Sequence, residues 1–211
     1  MEIFYFVSLA VLAFCLGACP FSLWVGKWLL GKDIRNYGDG NPGAINVFRA
    51  GGRKAFALAM FLDIGKGIPF VFLAHSYFEL PQFMVLAIGL SAILGHAFTP
   101  ILHFDGGKAL AVMGGVLLGL PQLDIFFALV VFMLLGFLLI DVDGWRVMFG
   151  TTGTLVYLVV TRGLSLEPLF MLCVIAILVV KHFEELKTMP RFRGKLIMWL
   201  RERKTAHAGS Q

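Results

Sequence analysis

Residues 3–28 read IFYFVSLAVLAFCLGACPFSLWVGKW and are apolar over almost their whole length. About 20 consecutive apolar residues suffice to cross a bilayer as a helix. The run is preceded by Glu2 and contains no basic residue before Lys27, a pattern that disfavours a cleaved secretory signal. It therefore predicts a retained first transmembrane helix, broken near Pro20.

The rest of the chain repeats this apolar character. Of its 211 residues, 59% are hydrophobic and 15% are charged, with a mean hydropathy of +0.85, which is far from the composition of soluble domains. We predict an all-α, polytopic integral membrane protein, with one membrane domain over residues 1–211 and seven transmembrane helices. The six further spans are expected at 54–76, 81–102, 109–120, 123–140, 147–161 and 166–181.

The lysines and arginines are distributed unevenly between the predicted loops. If the N-terminus lies outside, nearly all of them fall on the cytoplasmic side, where positive charge accumulates. Arg162 alone faces outward, and Lys66 lies within the second helix. This predicts a cytoplasmic C-terminus with a basic tail at 183–211, which is either an interfacial helix on anionic lipid or a solvated end.

Two polar, glycine-containing segments lie on the same predicted face, at 29–53 and 103–108. The first includes GDGNPGAINVFR at 38–49, and the second reads HFDGGK. Glycine lets the backbone approach a ligand, asparagine both donates and accepts, and the fork of an arginine fits a phosphate. Either segment alone could be an ordinary connection. Together they predict two cytoplasmic loops that bind one anionic substrate.

A few charged and titratable residues lie within or next to the predicted spans. Asp63 and Lys66 share one helix face, and a structural ion pair is favoured over substrate contact, because unpaired charges in a membrane are costly. His96 and His182 lie near helix ends, where they could exchange protons or simply be interfacial. The sequence has no Gly-x-Ser-x-Gly and no His-Glu-x-x-His motif, so serine and zinc hydrolase mechanisms have no support.

Several motifs resemble those of the PlsY-type acyl-phosphate:glycerol-3-phosphate acyltransferases. Residues 38–49 are similar to the first family signature, Gly-Ser-Gly-Asn-x-Gly-Ala-Thr-Asn-Val-x-Arg. The other similar segments are GACPF at 17–21, KDIR at 32–35, LDIGKG at 62–67, GHAFTP at 95–100 with FDGGK at 104–108, and KHFEE at 181–185. They occur in the family's order along nearly the whole chain, and the family has seven helices in the orientation given above.

The resemblance implies transfer of a fatty acyl chain from acyl-phosphate to the 1-hydroxyl of glycerol-3-phosphate, giving lysophosphatidic acid for phospholipid synthesis. It implies acyl-phosphate, glycerol-3-phosphate and membrane lipids as partners, with no cofactor, metal or nucleic acid. The protein would be a multi-pass protein of the inner (plasma) membrane, with its site facing the cytoplasm. By resemblance the catalytic residues are His182, Lys108 and Asp39, and the substrate-binding residues are Arg49, Asn41, Asn46, Gly40, Gly43, Gly106, Gly107 and His96.

The chain departs from the family pattern at five positions. Asp39 replaces a serine, Ile45 a threonine, Asp105 a lysine, Ala109 a glycine and Glu185 an asparagine. A carboxylate repels a phosphate by about 4 kcal/mol per unit charge at ~4 Å and an effective dielectric constant near 20, before screening or pairing.

Asp39 could instead accept a hydrogen bond from a substrate hydroxyl, or pair with Arg35 or Arg49. Two alternatives follow from these departures: another polyol phosphate as acceptor, or a catalytically lapsed protein that binds lipid or phosphate. A small transporter is disfavoured, because the chain shows no two-half repeat.

Overall fold

The structure, a computed structural model, describes residues 1–193, and the greater part of the predicted basic tail lies outside these residues. Every regular element within them is helical. Extended pairing is confined there to one antiparallel bridge, between Ile140 and Phe192. The helices are α1 Glu2–Ala18, α2 Phe21–Leu30, α3 Ala44–Arg49, α4 Arg53–Gly65, α5 Pro69–Ser76, α6 Gln82–Ala97, α7 Leu110–Gly119, α8 Leu123–Leu139, α9 Asp143–Arg162, α10 Leu166–Lys181 and α11 Phe183–Leu186.

Three helical segments of the described chain are long and apolar enough to cross a bilayer: Glu2–Leu30, Arg53–Ser76 and Gln82–Leu102. Many large apolar side chains on the bundle point outward, among them Phe61 and Phe127. A surface of this kind is covered by lipid or by a partner rather than by water. The helical class and the membrane-spanning character predicted from the sequence agree with these features.

The first predicted helix is broken where expected, between α1 and α2 at Pro20. The second predicted helix is also broken, between α4 and α5, where a continuous helix was expected. Pro69 has no N–H to continue the helix, and Ile68 donates to Gly65, three residues back rather than four. The hydropathy of residues 54–76 does not reveal this break, because hydropathy does not depend on the backbone hydrogen bonds.

The two breaks face each other and share a buried ion pair. Lys66 Nζ lies 2.9 Å from Asp63 Oδ1, and it donates to the Cys19 carbonyl in the first break over 2.8 Å. Ser22 Oγ, in the first turn of α2, donates to the other oxygen of Asp63. Both charges are therefore paired and hydrogen-bonded, which is the condition for burying them. The structural ion pair predicted from the sequence is present.

Helix α7 packs tightly against the second break. A Cβ on Gly115 would collide with the Ile64 carbonyl, and one on Gly119 would lie 2.9 Å from the Ile68 carbonyl. Small residues at this spacing let helix backbones approach closely. The contact holds the middle and the end of α7, the helix that directly follows the second glycine loop, against the second break.

Four helices meet in a polar cluster at the end of the bundle opposite the glycine loops. Arg162, at the end of α9, donates to Asp124 at 2.7 and 2.8 Å and to Glu167 at 2.9 Å. Gln82, at the start of α6, also donates to Glu167. The glycine loops follow the other ends of the helices, so Arg162 and these loops lie at opposite ends of the bundle.

Replacement of Arg162 should destabilise the bundle. In Arg162→Ala the buried carboxylate of Glu167 loses its only ion pair among the described residues, and we expect a loss of about 2 kcal/mol in the free energy of unfolding. Thermal unfolding in detergent, followed by tryptophan fluorescence, measures it. Lys187→Ala, which removes an exposed pair with Glu184 and the contact of the same ammonium with the exposed Phe183 ring, is the control. Equal losses of unfolding free energy in the two variants would contradict a stabilising role for the ion pair between Arg162 and Glu167.

Candidate active site

The first glycine loop is folded around the carboxylate of Asp39. Gly38 and Gly40, on either side of it, have left-handed backbone angles, with φ of 60° and 76°. The side-chain amide of Asn46 donates to Asp39 Oδ1 and to the Asn41 carbonyl, both over 2.8 Å. Because Asn46 is buried, it braces the loop from below. It therefore contributes to the shape of the site rather than to its exposed surface.

Arg49, the last residue of α3, lies across this loop. Its guanidinium donates to Asn46 Oδ1 over 3.1 Å and lies 3.6 Å from Asp39 Oδ1. A Cβ on Gly38 would collide with that guanidinium. Arg35 pairs with Asp33 instead. Of the two arginines considered as partners for Asp39, the structure places Arg49 beside it.

Gly43 and Asn41 shape the start of α3. Gly43 is the residue that precedes the helix, and Asn46 N donates to its carbonyl. A Cβ on Gly43 would lie 2.8 Å from the side-chain nitrogen of Asn41. The glycine thus lets the Asn41 amide fold back against its own loop.

The second glycine loop is attached to the end of α6. Gly106 N donates to the Ala97 carbonyl over 3.2 Å, and Gly107 N donates to the His96 carbonyl over 3.1 Å. A Cβ on Gly106 would collide with both carbonyls, and one on Gly107 would collide with the His96 ring. The resemblance implies that these two glycines bind substrate, and on the side where a Cβ would project the space beside them is filled by the end of α6.

His96 is buried beneath this loop and does not lie at a surface where it could exchange protons freely. Its ring faces Gly107 and borders a cavity of about 10 Å³, which also contacts the break between α1 and α2. A cavity of this size holds about one water molecule. The structure therefore does not bring His96 to the exposed side of the site, and it supports the loop from within.

Lys108, in the second glycine loop, connects the first glycine loop with α11. Its Nζ lies 2.5 Å from Asp39 Oδ2 and also forms an ion pair with Glu185 in α11. The other oxygen of Glu185 lies 3.0 Å from His182 Nδ1. Arg49, Asp39, Lys108, Glu185 and His182 form one connected set, which we call the charge cluster.

The carboxylates of the cluster and Lys108 hold one another in the ionised form. Partial burial alone would raise the pKa of Asp39, but hydrogen bonds from Lys108 and Asn46 outweigh it and lower the pKa to about 2. Burial likewise opposes ionisation of Glu185, yet its bonds to His182 and Lys108 lower its pKa below the usual range. The two carboxylates raise the pKa of Lys108 against the effect of its burial.

His182 is buried, and its second ring nitrogen, Nε2, has no hydrogen-bond partner among the described residues. A carboxylate beside Nδ1 favours the tautomer with the proton on Nδ1, since a carboxylate only accepts. We assign that tautomer here. Nε2 is then the basic nitrogen of the ring.

Two surrounding features do not join the cluster. Asp105 is almost fully exposed, with its carboxylate 3.8 Å from Lys181 Nζ, so it does not line the cluster. A surface cleft of about 460 Å³ lies between the end of α2 and the start of α4 and includes none of the cluster residues. Within residues 1–193, no three His, Cys, Asp or Glu side chains are close enough to hold a metal ion.

The glycerol-3-phosphate acyltransferase family model matches residues 7–191. The chain belongs to this family. A glycerol-3-phosphate acyltransferase from Streptococcus pyogenes is 31% identical over 206 residues, covering 94% of this chain and 95% of that protein. One from Listeria welshimeri is 40% identical over 133 residues, 61% of this chain and 65% of that protein.

Two crystal structures of PlsY (YgiH), an integral membrane glycerol 3-phosphate acyltransferase, have the same fold. The glycerol 3-phosphate form has a TM-score of 0.78 at 27% identity and covers 92% of this chain and 98% of that one. The lysophosphatidic acid form has a TM-score of 0.77 at 26% identity and covers 86% and 90%. Family membership agrees with the resemblance found in the sequence.

Glu185 belongs to the cluster, although in the sequence it stands out only as a departure from the family motif. Two signals in the sequence point to it. It lies three residues after His182, so the two side chains share a helix face, and its charge is opposite to that of Lys108. Only the fold, however, shows that Lys108 lies within reach.

Addition of a methyl group at Gly106 should disrupt the second loop. In Gly106→Ala the new Cβ meets two backbone carbonyls, which cannot move aside as a flexible side chain could. We expect a loss of about 2 kcal/mol or more in the free energy of unfolding. Gly65→Ala, whose Cβ meets nothing within 4 Å, is the matched control and should be neutral or slightly stabilising. Chemical unfolding in detergent compares them, and equal losses would refute the close approach.

The pH dependence of stability should reveal the low pKa of Asp39. Because its pKa is about 2 in the fold and 3.8 in the reference state, its contribution is fully present above 3.8 and is lost as the pH falls toward 2. The difference in Tm between the wild type and Asp39→Asn should be constant from about pH 5 to 8 and narrow only below about pH 4. A difference that already narrows near pH 6 would contradict the assigned ion pairs.

Proposed function

We propose that this protein transfers a fatty acyl chain from acyl-phosphate to the 1-hydroxyl of glycerol-3-phosphate, releasing lysophosphatidic acid and inorganic phosphate. The observation that carries the proposal is the charge cluster, in which an arginine, a lysine and a histidine from distant segments converge at one end of an apolar bundle. Membership in the glycerol-3-phosphate acyltransferase family supports the reaction type.

Arg49 and Lys108 are the phosphate-binding residues in this proposal. Both contact the carboxylate of Asp39, so their charged ends are close enough to hold one small anion. The arginine offers a planar fork and the lysine a mobile point charge, a combination that suits phosphate oxygens. The first glycine loop, shaped by Gly40, Asn41, Gly43 and Asn46, positions them.

The reaction requires little covalent chemistry from the protein. Acyl-phosphate is already activated, so alignment of the acceptor hydroxyl with the carbonyl carbon and neutralisation of phosphate charge supply most of the catalysis. The hydroxyl oxygen forms the new ester bond, and the bond from the carbonyl carbon to the phosphate oxygen breaks. The hydroxyl proton passes to a phosphate oxygen of the substrate, or to His182 Nε2 once the groups that enclose this buried atom have moved aside. The acyl chain lies between helices, in contact with lipid.

We further propose that the chain crosses the inner membrane seven times, with α1–α2 and α4–α5 each forming one span and α6 to α10 one each. The N-terminus would lie outside and the charge cluster in the cytoplasm. In support, Arg162 lies at the opposite end of α6, α8, α9 and α10 from the cluster. The basic residues of the first glycine loop lie at the cluster end, as positive charge on the cytoplasmic side requires.

The decisive experiment is acyl transfer by the purified protein from palmitoyl-phosphate to labelled glycerol-3-phosphate, with separation of labelled lysophosphatidic acid. We expect product from the intact protein and a loss of kcat/KM on the order of 100-fold or more in Arg49→Ala and Lys108→Ala. Arg53→Ala, an exposed basic residue near Arg49 but outside the cluster, is the control and should keep kcat/KM within about threefold.

No product from the intact protein with this acceptor would reject the proposal. The same preparation is then assayed with other polyol phosphates, because two carboxylates in the cluster favour a hydroxyl-rich acceptor. Equal activity in all three variants would support the proposed reaction but would show that Arg49 and Lys108 do not bind the substrate phosphate.

A further inference from the structure

The ammonium group of Lys108 lies between two carboxylates, one from each side of the site. Asp39 Oδ2 belongs to the first glycine loop, and Glu185 Oε1 belongs to the turn of α11. Both positions depart from the family motif, which has a serine and an asparagine there. The two departures are 146 positions apart in sequence, yet they contact the same atom.

These contacts alter the charge that an incoming phosphate would meet. The cluster contains two cations, Arg49 and Lys108, and two carboxylates, so with a neutral His182 its formal charge is zero. With serine and asparagine in place of the carboxylates, the same cluster would carry a charge of +2. A dianionic phosphate is therefore attracted less strongly here, and it competes with two carboxylates for Lys108.

We propose that Glu185, acting with Asp39, is an internal counter-ion to Lys108 that lowers the affinity of the site for a dianionic phosphate and thereby tunes the choice of acceptor. This inference rests on the proposed function for its substrate. Lys108 is held in position before substrate arrives and is released from the carboxylates when phosphate binds. Glu185 is a positioning residue, since it acts through Lys108 and His182.

The partial exposure of the cluster limits the size of the effect. The side chains of Lys108 and Glu185 are 22% and 24% exposed, so solvent and salt screen their interaction in part. A removed carboxylate should therefore strengthen phosphate binding by roughly fivefold to thirtyfold at low salt, which is well below the unscreened Coulomb repulsion between two charges in contact. The gain should shrink as salt is added.

The test compares equilibrium binding of glycerol-3-phosphate and of inorganic phosphate to detergent-purified wild type, Glu185→Gln and Asp39→Asn. We expect both variants to bind both ligands roughly fivefold to thirtyfold more tightly than the wild type at low salt. Glu184→Gln is a closely matched control. It removes the same charge from the neighbouring position of α11, but Glu184 is exposed and pairs only with Lys187 among the described residues. Its Kd should stay within about twofold of wild type.

Three outcomes would overturn the proposal. Unchanged or weaker phosphate binding in Glu185→Gln would show that the carboxylate is no competitor for Lys108. An equal gain in Glu184→Gln would show only a general effect of net charge. A loss of kcat in Glu185→Gln at unchanged Kd would restrict Glu185 to orienting His182. Glu185→Asn, which restores the family residue, replaces Glu185→Gln if that variant does not fold.

The binding measurement needs no acyl donor, so it separates this inference from the proposed function. If the intact protein makes no lysophosphatidic acid but Glu185→Gln binds phosphate more tightly, the counter-ion role of Glu185 is supported and the proposed reaction is refuted. If the protein makes lysophosphatidic acid and Glu185→Gln binds phosphate as the wild type does, the proposed reaction is supported and the counter-ion role of Glu185 is refuted.

Discussion

The ion pairs of Lys108 connect parts of the chain that hydrophobic packing alone would not bring into register. Asp39 and Glu185 reach it from the first glycine loop and from the turn after α10. Each of these charges would be costly in a partly buried position if it were alone, and each is kept ionised by the others. The arrangement of the site therefore depends on mutual neutralisation of these charges. Any anionic ligand must compete with the two carboxylates for Lys108.

The breaks in the first two apolar segments are the second constraint. Each break exposes backbone and polar side chains inside an apolar bundle, where they must be satisfied internally. The Asp63–Lys66 pair does this by bonding across the breaks to Cys19 and Ser22. The same region supports the second glycine loop through His96 and Gly107. Buried polar groups thus hold the scaffold beneath the charge cluster.

The departures from the family motif acquire different meanings in the fold. Asp105 points into solvent beside Lys181 and leaves the cluster unaffected. Ala109 has a left-handed backbone, with φ of 61°, which explains why a glycine suits that position and why alanine is strained there. Only Asp39 and Glu185 enter the cluster. The repulsion that the sequence predicted for Asp39 is moderated, because its charge is already paired with Lys108.

The sequence by itself determined the helical membrane class, the break at Pro20, the Asp63–Lys66 pair and the two polar loops, because hydropathy, proline and residue spacing are local properties. It also carried the family motifs. Tertiary structure decided that His96 is buried, that the space left by Gly106 and Gly107 is filled by α6, and that Asp39 and Glu185 share Lys108. These facts depend on which ends of distant helices pack together, and ion pairs between distant segments leave no periodic signal in the chain.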